Sequence, residues 1–208
     1  NIMKVFITGG SGGLGFEIVK KLSNLKNIQL FATYNNSTAH KSIDLQNVRF
    51  IKIDFTENNF LEKIKEHLDD IDCLINNYST GYEFKHLTSF KSDDVLNSFN
   101  NNIAPLIDIN NFFIKLMKRK SSGQVISVLS EVTKSSPVLG MPIYTAEKMY
   151  FKTMIEHWQK ECNQYDICFS SVSPKMMDTD FNSSIDTRLL EIIKLNDIFT
   201  KISDVVSL

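Results

Sequence analysis

The sequence predicts an α/β fold in which a doubly wound parallel β-sheet is covered by helices on both faces. Short apolar runs alternate along the chain with longer segments that carry apolar residues at helical spacing, and this alternation is typical of parallel sheets with crossover helices. A glycine-rich segment follows the first apolar run, at the place where such folds turn from strand into helix. The length of 208 residues fits one domain with a sizeable core, so residues 1–208 are predicted to form a single domain.

The strands are recognised as short apolar or alternating runs that end in small or polar residues. The run from Met3 is rich in branched residues and stops at Gly9, and the run from Val48 alternates and stops at Asp54. Branched residues and short length favour strands over helices in such runs. The predicted strands are residues 3–8, 28–34, 48–53, 71–75, 124–129 and 167–172.

The helices are recognised by apolar residues three and four positions apart, which form one buried face. Leu14, Ile18 and Leu22 have this spacing within residues 13–24, and a similar pattern covers 57–68. A long helix is predicted over 92–118, broken or entered around Pro105. Further helices are predicted over 143–162 and in the tail from Ile185 onward.

Composition excludes several classes of protein. The chain is 42% hydrophobic and 23% charged, with a formal net charge of -1, so it lacks the basic surface that nucleic-acid binding requires. No apolar run approaches the roughly 20 residues that span a membrane, and no signal-peptide pattern is present. The three cysteines and four histidines have neither disulfide-framework nor metal-ligand spacing. We therefore expect a cytoplasmic protein without a metal.

A glycine-rich turn is predicted to bind a dinucleotide. It reads Thr8-Gly9-Gly10-Ser11-Gly12-Gly13-Leu14-Gly15. Glycines let the backbone approach a pyrophosphate closely, and the following helix offers its free N–H groups and positive dipole end. Glycine-rich loops also form plain turns, but the setting between strand and helix favours cofactor binding. The predicted cofactor contacts here are Thr8, Gly9, Ser11, Gly12, Gly13, Leu14 and Gly15.

A second motif places a tyrosine and a lysine on one helical face. In Tyr144-Thr145-Ala146-Glu147-Lys148 the two residues are four positions apart, which makes them neighbours on a helix. An ammonium group beside a phenol favours the phenolate and lowers the phenol pKa from about 10. The tyrosine could then exchange a proton with a substrate oxygen near neutral pH. An ordinary amphipathic helix would give the same spacing without any chemistry.

Together these motifs resemble those of the short-chain dehydrogenase/reductase family. The turn fits the family's Thr-Gly-x-x-x-Gly-x-Gly form, and the helix fits its Tyr-x-x-x-Lys form, in the same order and over about residues 3–180. The resemblance implies a Rossmann-type three-layer sandwich and hydride transfer between a nicotinamide cofactor and a small-molecule carbonyl or alcohol. It also implies that Tyr144 moves the proton and that Lys148 additionally holds the nicotinamide ribose.

The resemblance assigns two further catalytic residues. Ser130 follows the fifth predicted strand, 14 residues before Tyr144, and matches the serine that polarises the substrate oxygen. Ser127 and Ser135 are less well placed for that role. Asn102 matches the helix asparagine that anchors a water and passes the proton toward the lysine.

Further cofactor contacts are implied at the ends of the later strands. Asp54, with Phe55 beside it, matches the residue that accepts a hydrogen bond from the adenine amino group, while Thr56 could cap the next helix. Asn76 and Asn77 occupy the first two places of the family's Asn-Asn-Ala-Gly. In the segment after the sixth strand, Pro174 and Thr179 are implied contacts, and Thr179 matches the residue that contacts the nicotinamide carboxamide.

The end of the second strand bears on the choice between NADP and NAD. An acidic residue there would bind the ribose 2′-hydroxyl of NAD, but the chain reads Tyr34-Asn35-Asn36-Ser37. Because no carboxylate repels a 2′-phosphate, and Asn36, Ser37 or Lys41 could contact one, we expect NADP(H) to be favoured over NAD(H). Tyr34, Asn35 and Asn36 are included among the cofactor contacts.

Departures from the family pattern keep alternatives open. Tyr78, Ser79 and Lys175 stand where the family has small residues or glycine. They suggest a non-catalytic NADP(H)-sensing or scaffold protein of the same fold as the main alternative. A sugar-nucleotide epimerase or dehydratase shares the tyrosine–lysine pair, but this sequence leaves no room for its larger substrate domain.

The resemblance also implies an assembly. Family members pair through their two long helices, here about 92–118 and 143–162, and a second interface uses a seventh strand. Residues 202–208 look like the helix before that strand, so the chain is expected to be a short member or to lack its C-terminus. A homodimer through the two long helices is therefore predicted.

Overall fold

The computed structural model describes residues 2–42, 46–134 and 137–175, which form a parallel sheet flanked by helices. The strands are β1 (Met3–Ile7), β2 (Ile28–Tyr34), β3 (Val48–Lys52), β4 (Cys73–Asn76), β5 (Ser122–Val128) and β6 (Asp166–Val172). The helices are α1 (Gly13–Ser23), α2 (Phe60–Lys65), α3 (Ser92–Asn102), α4 (Ala104–Lys120) and α5 (Pro142–Glu161). All strand pairs are parallel, in the order β3-β2-β1-β4-β5-β6. This order is that of the Rossmann fold, and it confirms the predicted doubly wound sheet.

Alternate residues of the central strands build two cores on opposite faces of the sheet. On β1, Phe6 packs into the larger core, where α2, α4 and α5 contribute apolar side chains. Its neighbours Val5 and Ile7 pack into the smaller core with Val19 of α1. Because side chains alternate along a strand, the nearly continuous apolar run of β1 fills both cores.

The predicted helix over 57–68 is much shorter in the structure. Asp54 accepts hydrogen bonds from the Thr56 N–H at 2.9 Å and the Thr56 hydroxyl at 2.7 Å. This local turn competes with helix formation, and α2 begins only at Phe60, after Asn59. Thr56 therefore does not cap the helix, contrary to the expectation from sequence.

The long helix predicted over 92–118 is divided into α3 and α4 at Ile103. Pro105 lies in the first turn of α4, where its missing N–H is tolerated, whereas within a continuous helix its ring would clash with the preceding turn. Asn102, the last residue of α3, is consequently held at a bend. The predicted helical tail from Ile185 and the segment 202–208 lie outside the described residues.

Two sets of polar contacts connect β1 and β4, which are distant in sequence. At one end of β4, Asp72 accepts hydrogen bonds from the Lys4 N–H at 2.8 Å and the Lys120 ammonium at 2.9 Å. At the other end, Thr8 follows β1 and its Oγ1 accepts hydrogen bonds from the N–H groups of Asn77 and Tyr78, each at 3.0 Å. These contacts fix the edge of the sheet where the loops after β1 and β4 meet. Within the described ranges, no helix has the length and apolar character needed to cross a bilayer.

Candidate active site

A cavity of about 740 Å³ lies at the carboxyl ends of the strands. This is where ligands bind in doubly wound sheets, and the volume is within the usual range for small-molecule sites. Most of the residues predicted for the site line it. The lining includes Gly9, Ser11, Gly12, Gly13, Leu14, Tyr34, Asn35, Asn36, Ser37, Phe55, Asn77, Tyr78, Tyr82, Ser130, Tyr144, Lys148, Pro174 and Lys175.

The glycine-rich turn forms one wall of the cavity. Gly9 has a φ of +67°, a conformation that side chains other than glycine rarely adopt. Its N–H donates to Thr33 Oγ1 at 2.8 Å, and the Gly10 N–H donates to the Thr33 carbonyl at 2.9 Å. The turn is thereby fixed to the end of β2.

Two of the predicted turn residues, Thr8 and Gly15, do not line the cavity but position the segments that do. Thr8 is fully buried and binds the loop after β4. Gly15 allows α1 to approach that loop, because a Cβ at this position would lie 2.1 Å from the Gly9 carbonyl oxygen and 2.4 Å from Asn77 Nδ2. The Asn77 amide itself donates to the carbonyls of Thr8 at 3.2 Å and Gly9 at 2.9 Å.

The beginning of α1 opens into the cavity. Gly12 precedes the helix and no side chain caps its first turn, so the turn presents N–H groups to a ligand. A Cβ built at Gly12 would have no atom within 4 Å, which leaves space for a group lying against the backbone. The helix N-terminus and this space fit an anionic phosphate group.

The end of β2 forms the wall beyond the turn. Tyr34, Asn35, Asn36 and Ser37 all line the cavity, and the Ser37 hydroxyl donates to the Ser11 carbonyl at 2.6 Å. The Tyr34 ring lies against the His40 ring, with the centroids 3.9 Å apart. This wall has hydroxyl and amide groups, and none of the residues from Tyr34 to Ser37 is a carboxylate.

The end of β3 contributes an aromatic side chain to the cavity rather than a carboxylate. Phe55 lines the cavity and contacts the ring of Tyr78, with the centroids 4.4 Å apart. Asp54 does not belong to the lining. Hydrogen bonds from the Thr56 hydroxyl and N–H lower the pKa of Asp54, and the Asn35 side chain adds a smaller contribution. Burial raises the pKa of Tyr78 to about 12.

Ser130, Tyr144 and Lys148 also line the cavity. Ser130 follows β5, and its side chain hydrogen-bonds that of Tyr144. The Lys148 ammonium lies 5.6 Å from the centre of the Tyr144 ring and donates to the Val128 carbonyl at 3.3 Å. The structure thus brings these three side chains together.

The pKa of Tyr144 differs from the expectation based on the lysine alone. Burial raises the pKa of Tyr144, the hydrogen bond with Ser130 lowers it, and the Glu147 carboxylate raises it. Burial of the ammonium group lowers the pKa of Lys148 to about 8. The neighbouring lysine is therefore not sufficient to produce a low tyrosine pKa in the protein alone.

Two predicted asparagines lie outside the cavity lining. Asn76 is buried and exchanges hydrogen bonds with Asn110 at 3.0 and 2.9 Å, and it also donates to Ser127 Oγ at 3.1 Å. Asn102 is also buried, and its Oδ1 accepts hydrogen bonds from the Thr80 N–H at 2.8 Å and the Thr80 hydroxyl at 2.9 Å. Asn102 thus orients the loop that follows β4.

Sequence reasoning missed Tyr82 as a lining residue. Its ring centre lies 5.2 Å from that of Tyr144, and burial raises its pKa above its usual range. No motif marks this position, and only its proximity to the asparagine pair in sequence could have suggested it. Of the other residues singled out from the sequence, Pro174 and Lys175 line the cavity, whereas Thr179 and Ser135 lie outside the described residues.

The fold and the cavity define a doubly wound α/β protein of the Rossmann type with a tyrosine–lysine site. The family model of the short chain dehydrogenases matches residues 3–189. The chain therefore belongs to the short-chain dehydrogenase family, whose members are oxidoreductases that bind a nicotinamide cofactor.

Individual relatives are distant in sequence. An uncharacterized oxidoreductase of Saccharomyces cerevisiae is 25% identical over 202 residues, covering 87% of this chain and 62% of that relative, so the chain spans less than two thirds of that protein. A 3-oxoacyl-[acyl-carrier-protein] reductase of Chlamydia pneumoniae is 26% identical over 196 residues, covering 89% of this chain and 78% of the relative. A solved structure of 4-hydroxyisoleucine dehydrogenase complexed with NADH shares the fold, with a TM-score of 0.85, 18% identity and coverage of 99% of this chain and 88% of that one.

Proposed function

We propose that this protein transfers a hydride between a nicotinamide cofactor and a carbonyl or alcohol substrate. One observation carries the proposal: Ser130, Tyr144 and Lys148 line the same cavity as the glycine-rich turn. A dinucleotide whose phosphates bind at the turn would extend toward the tyrosine–lysine pair. The substrate is a small molecule.

The residues along the cavity fit such a cofactor. The open space at Gly12 and the beginning of α1 would receive the pyrophosphate. Phe55 and the segment Asn35–Asn36 would border the adenosine, and Lys148 would hold the nicotinamide ribose. When bound, the cofactor supplies or accepts the hydride. The absence of a carboxylate among residues 34–37 supports NADP(H) over NAD(H).

The chain's own residues would manage the substrate oxygen and its proton. Ser130 and Tyr144, which already share a hydrogen bond, would both bind this oxygen and orient the carbonyl. Tyr144 would give its proton to the oxygen during reduction and take it back during oxidation. The Lys148 ammonium would stabilise the phenolate that forms on Tyr144.

Apolar side chains would exclude water from the reacting centre. Val132, Val138 and Met141 line the cavity, as does Tyr82, whose ring contacts that of Tyr144. A low-polarity wall strengthens the hydrogen bonds between the substrate oxygen and its two donors. It also favours a substrate with an apolar portion next to the carbonyl.

We also propose that the protein forms a homodimer and is located in the cytoplasm. Val95 and Leu96 of α3 and Met149 and Tyr150 of α5 are exposed apolar side chains, between 41% and 59% exposed. They lie on the two long helical segments for which pairing is predicted. The free thiols of Cys73, Cys162 and Cys168 are consistent with a reducing compartment.

The decisive experiment combines cofactor titration with a tyrosine variant. Nicotinamide fluorescence is followed as NADPH or NADH is added, and carbonyl compounds are then screened for turnover. Tyr144→Phe is expected to bind the cofactor like the wild type but to lose about 10²–10⁴-fold in turnover, because the proton donor is missing.

Tyr150→Phe is the matched control, since Tyr150 lies on the same helix but not in the cavity lining. The variant keeps the ring that the proposed interface uses, and the loss of the hydroxyl alone should leave turnover unchanged. Binding of neither cofactor would contradict the proposal. Cofactor binding without any turnover across the panel would instead support the non-catalytic alternative.

A further inference from the structure

A buried carboxyl group lies beside the tyrosine–lysine pair and has no role in the reaction proposed above. Glu147 precedes Lys148 on α5 and is only 7% exposed. Glutamate is among the residues least often buried unless it is paired. Its burial at this position therefore requires an explanation from its surroundings.

The carboxyl group of Glu147 is hydrogen-bonded to side chains of α3. The side chains of Ser98 and Asn102 hydrogen-bond it, and Asn102 Nδ2 also donates to Ser98 Oγ at 3.4 Å. The opposite end of the same asparagine accepts the two hydrogen bonds from Thr80. Glu147 is thus linked through Asn102 to the loop that borders the cavity.

The other carboxyl oxygen, Oε1, is buried and has no hydrogen-bond partner among the described residues. A buried carboxylate in this situation is costly unless an opposite charge compensates it. The groups of α3 that hydrogen-bond the carboxyl group, Ser98 and Asn102, are neutral. Lys148 is the next residue on α5 and the cation nearest to Glu147 in sequence, and each of the two groups favours the ionised form of the other.

We propose that Glu147 is a positioning residue whose carboxylate keeps the buried Lys148 charged and holds Asn102 toward α5, a role that rests on the function proposed above. Burial acts against both ions, because it raises the pKa of Glu147 and lowers that of Lys148 to about 8. The same negative charge raises the pKa of Tyr144. Glu147 therefore sets the pH range in which the tyrosine–lysine pair works.

The sign of the effect follows from the charge. Glu147→Gln keeps the size of the side chain and an oxygen that can accept hydrogen bonds from Ser98 and Asn102, but it removes the negative charge. Lys148 then becomes an uncompensated buried cation, so its pKa falls. The pKa of Tyr144 falls as well, because a charge that opposed its ionisation is gone.

The first readout requires neither substrate nor cofactor. Lysine labelled with ¹³C at Cε is followed by NMR through a pH titration, and the Lys148 signal is assigned as the one missing from Lys148→Arg. Its midpoint is expected near pH 8, well below the usual lysine value of about 10.4. In Glu147→Gln this midpoint is expected to move down by about one pH unit. Glu147→Asp, which retains the charge, is expected to stay closer to the wild type.

Glu156→Gln is the matched control, because Glu156 lies exposed on the same helix. An unchanged Lys148 midpoint in Glu147→Gln would overturn the proposal, and so would an equal shift in Glu156→Gln or Glu147→Asp. The second readout is the pH profile of kcat/KM, which should move to lower pH as a whole in Glu147→Gln. If no cofactor binds, the proposed function fails while the lysine titration still decides the role of Glu147.

Discussion

Replacing Gly15 by alanine should destabilise the protein, although alanine is the better helix former. Gly15 lies in the first turn of α1, and the helix propensity of alanine would contribute about 1 kcal/mol in its favour. The new Cβ, however, would lie 2.1 Å from the Gly9 carbonyl oxygen and 2.4 Å from Asn77 Nδ2. Since the first of these atoms belongs to the backbone, α1 must move away from the turn.

The cost of that movement outweighs the gain in helix propensity. Overpacking of a tight contact costs about 1–3 kcal/mol, and displacing Asn77 also weakens its hydrogen bond to the Gly9 carbonyl, worth about 1 kcal/mol. The expected net loss in the free energy of unfolding is therefore about 1–3 kcal/mol. Urea denaturation measures this difference directly.

Gly12→Ala provides the control for the same chemical change. Its Cβ would have no neighbour within 4 Å, and its φ of −152° suits alanine. The preference for glycine over alanine at an N-cap and the lower entropy of the unfolded alanine variant act in opposite directions, so the free energy of unfolding should change by less than about 0.5 kcal/mol. Because the methyl group would occupy the space assigned to the pyrophosphate, NADPH affinity should fall in this stable variant. Gly15→Ala with wild-type stability would refute the steric reasoning.

Two further predictions concern the sheet and the assembly. Asp72→Asn should lower the free energy of unfolding by no more than about 1 kcal/mol at pH 7, because the Asp72 side chain is 40% exposed and solvent screens it. Burial raises the pKa of Asp72, but hydrogen bonds from Lys4 and Lys120 and the Lys120 charge outweigh it and lower the pKa overall. This stabilisation is present above about pH 4 and is lost as the pH falls through the folded-state pKa of Asp72. The free energies of unfolding of the variant and the wild type, measured with urea, should therefore converge toward pH 3. A difference that stays constant with pH would contradict this role of the Asp72 charge. Leu96→Glu, on the exposed face of α3, should convert the proposed dimer to a monomer in light scattering, and a monomeric wild type would refute the interface.

The parts of the site that depend on local sequence could be predicted. The turn after β1 requires glycine for backbone conformation and close approach, and the tyrosine–lysine pair requires only helical spacing. Both requirements act over a few residues, so they leave a readable pattern. The alternation of Val5, Phe6 and Ile7 between two cores is equally local and indicates a strand covered on both faces.

The parts that depend on distant contacts could not be predicted. Thr8 and Asn76 match family positions, yet their hydrogen-bond partners lie 69 and 34 residues away in sequence. These bonds give both residues a structural role outside the cavity lining. Tyr82 lies outside any motif and Glu147 occupies one of the unspecified positions of the Tyr-x-x-x-Lys motif, so only the packing of α3, α5 and the loop after β4 reveals them. Spacing along the chain cannot report such neighbours.

The pairing of β1 with β4 has a consequence for the order in which the molecule assembles. β1 can pair with β2 early, because the connection between them is short, whereas the contacts of Lys4 with Asp72 and of Thr8 with Asn77 close segments of 68 and 69 residues. Closing such long segments carries a larger entropic cost and slows folding. The cavity, which needs the turn after β1 and the loop after β4 together, is therefore expected to form late. A ligand bound there would contact both of these segments. It would therefore stabilise the pairing of β1 with β4, the neighbouring strands of the sheet that are farthest apart in sequence.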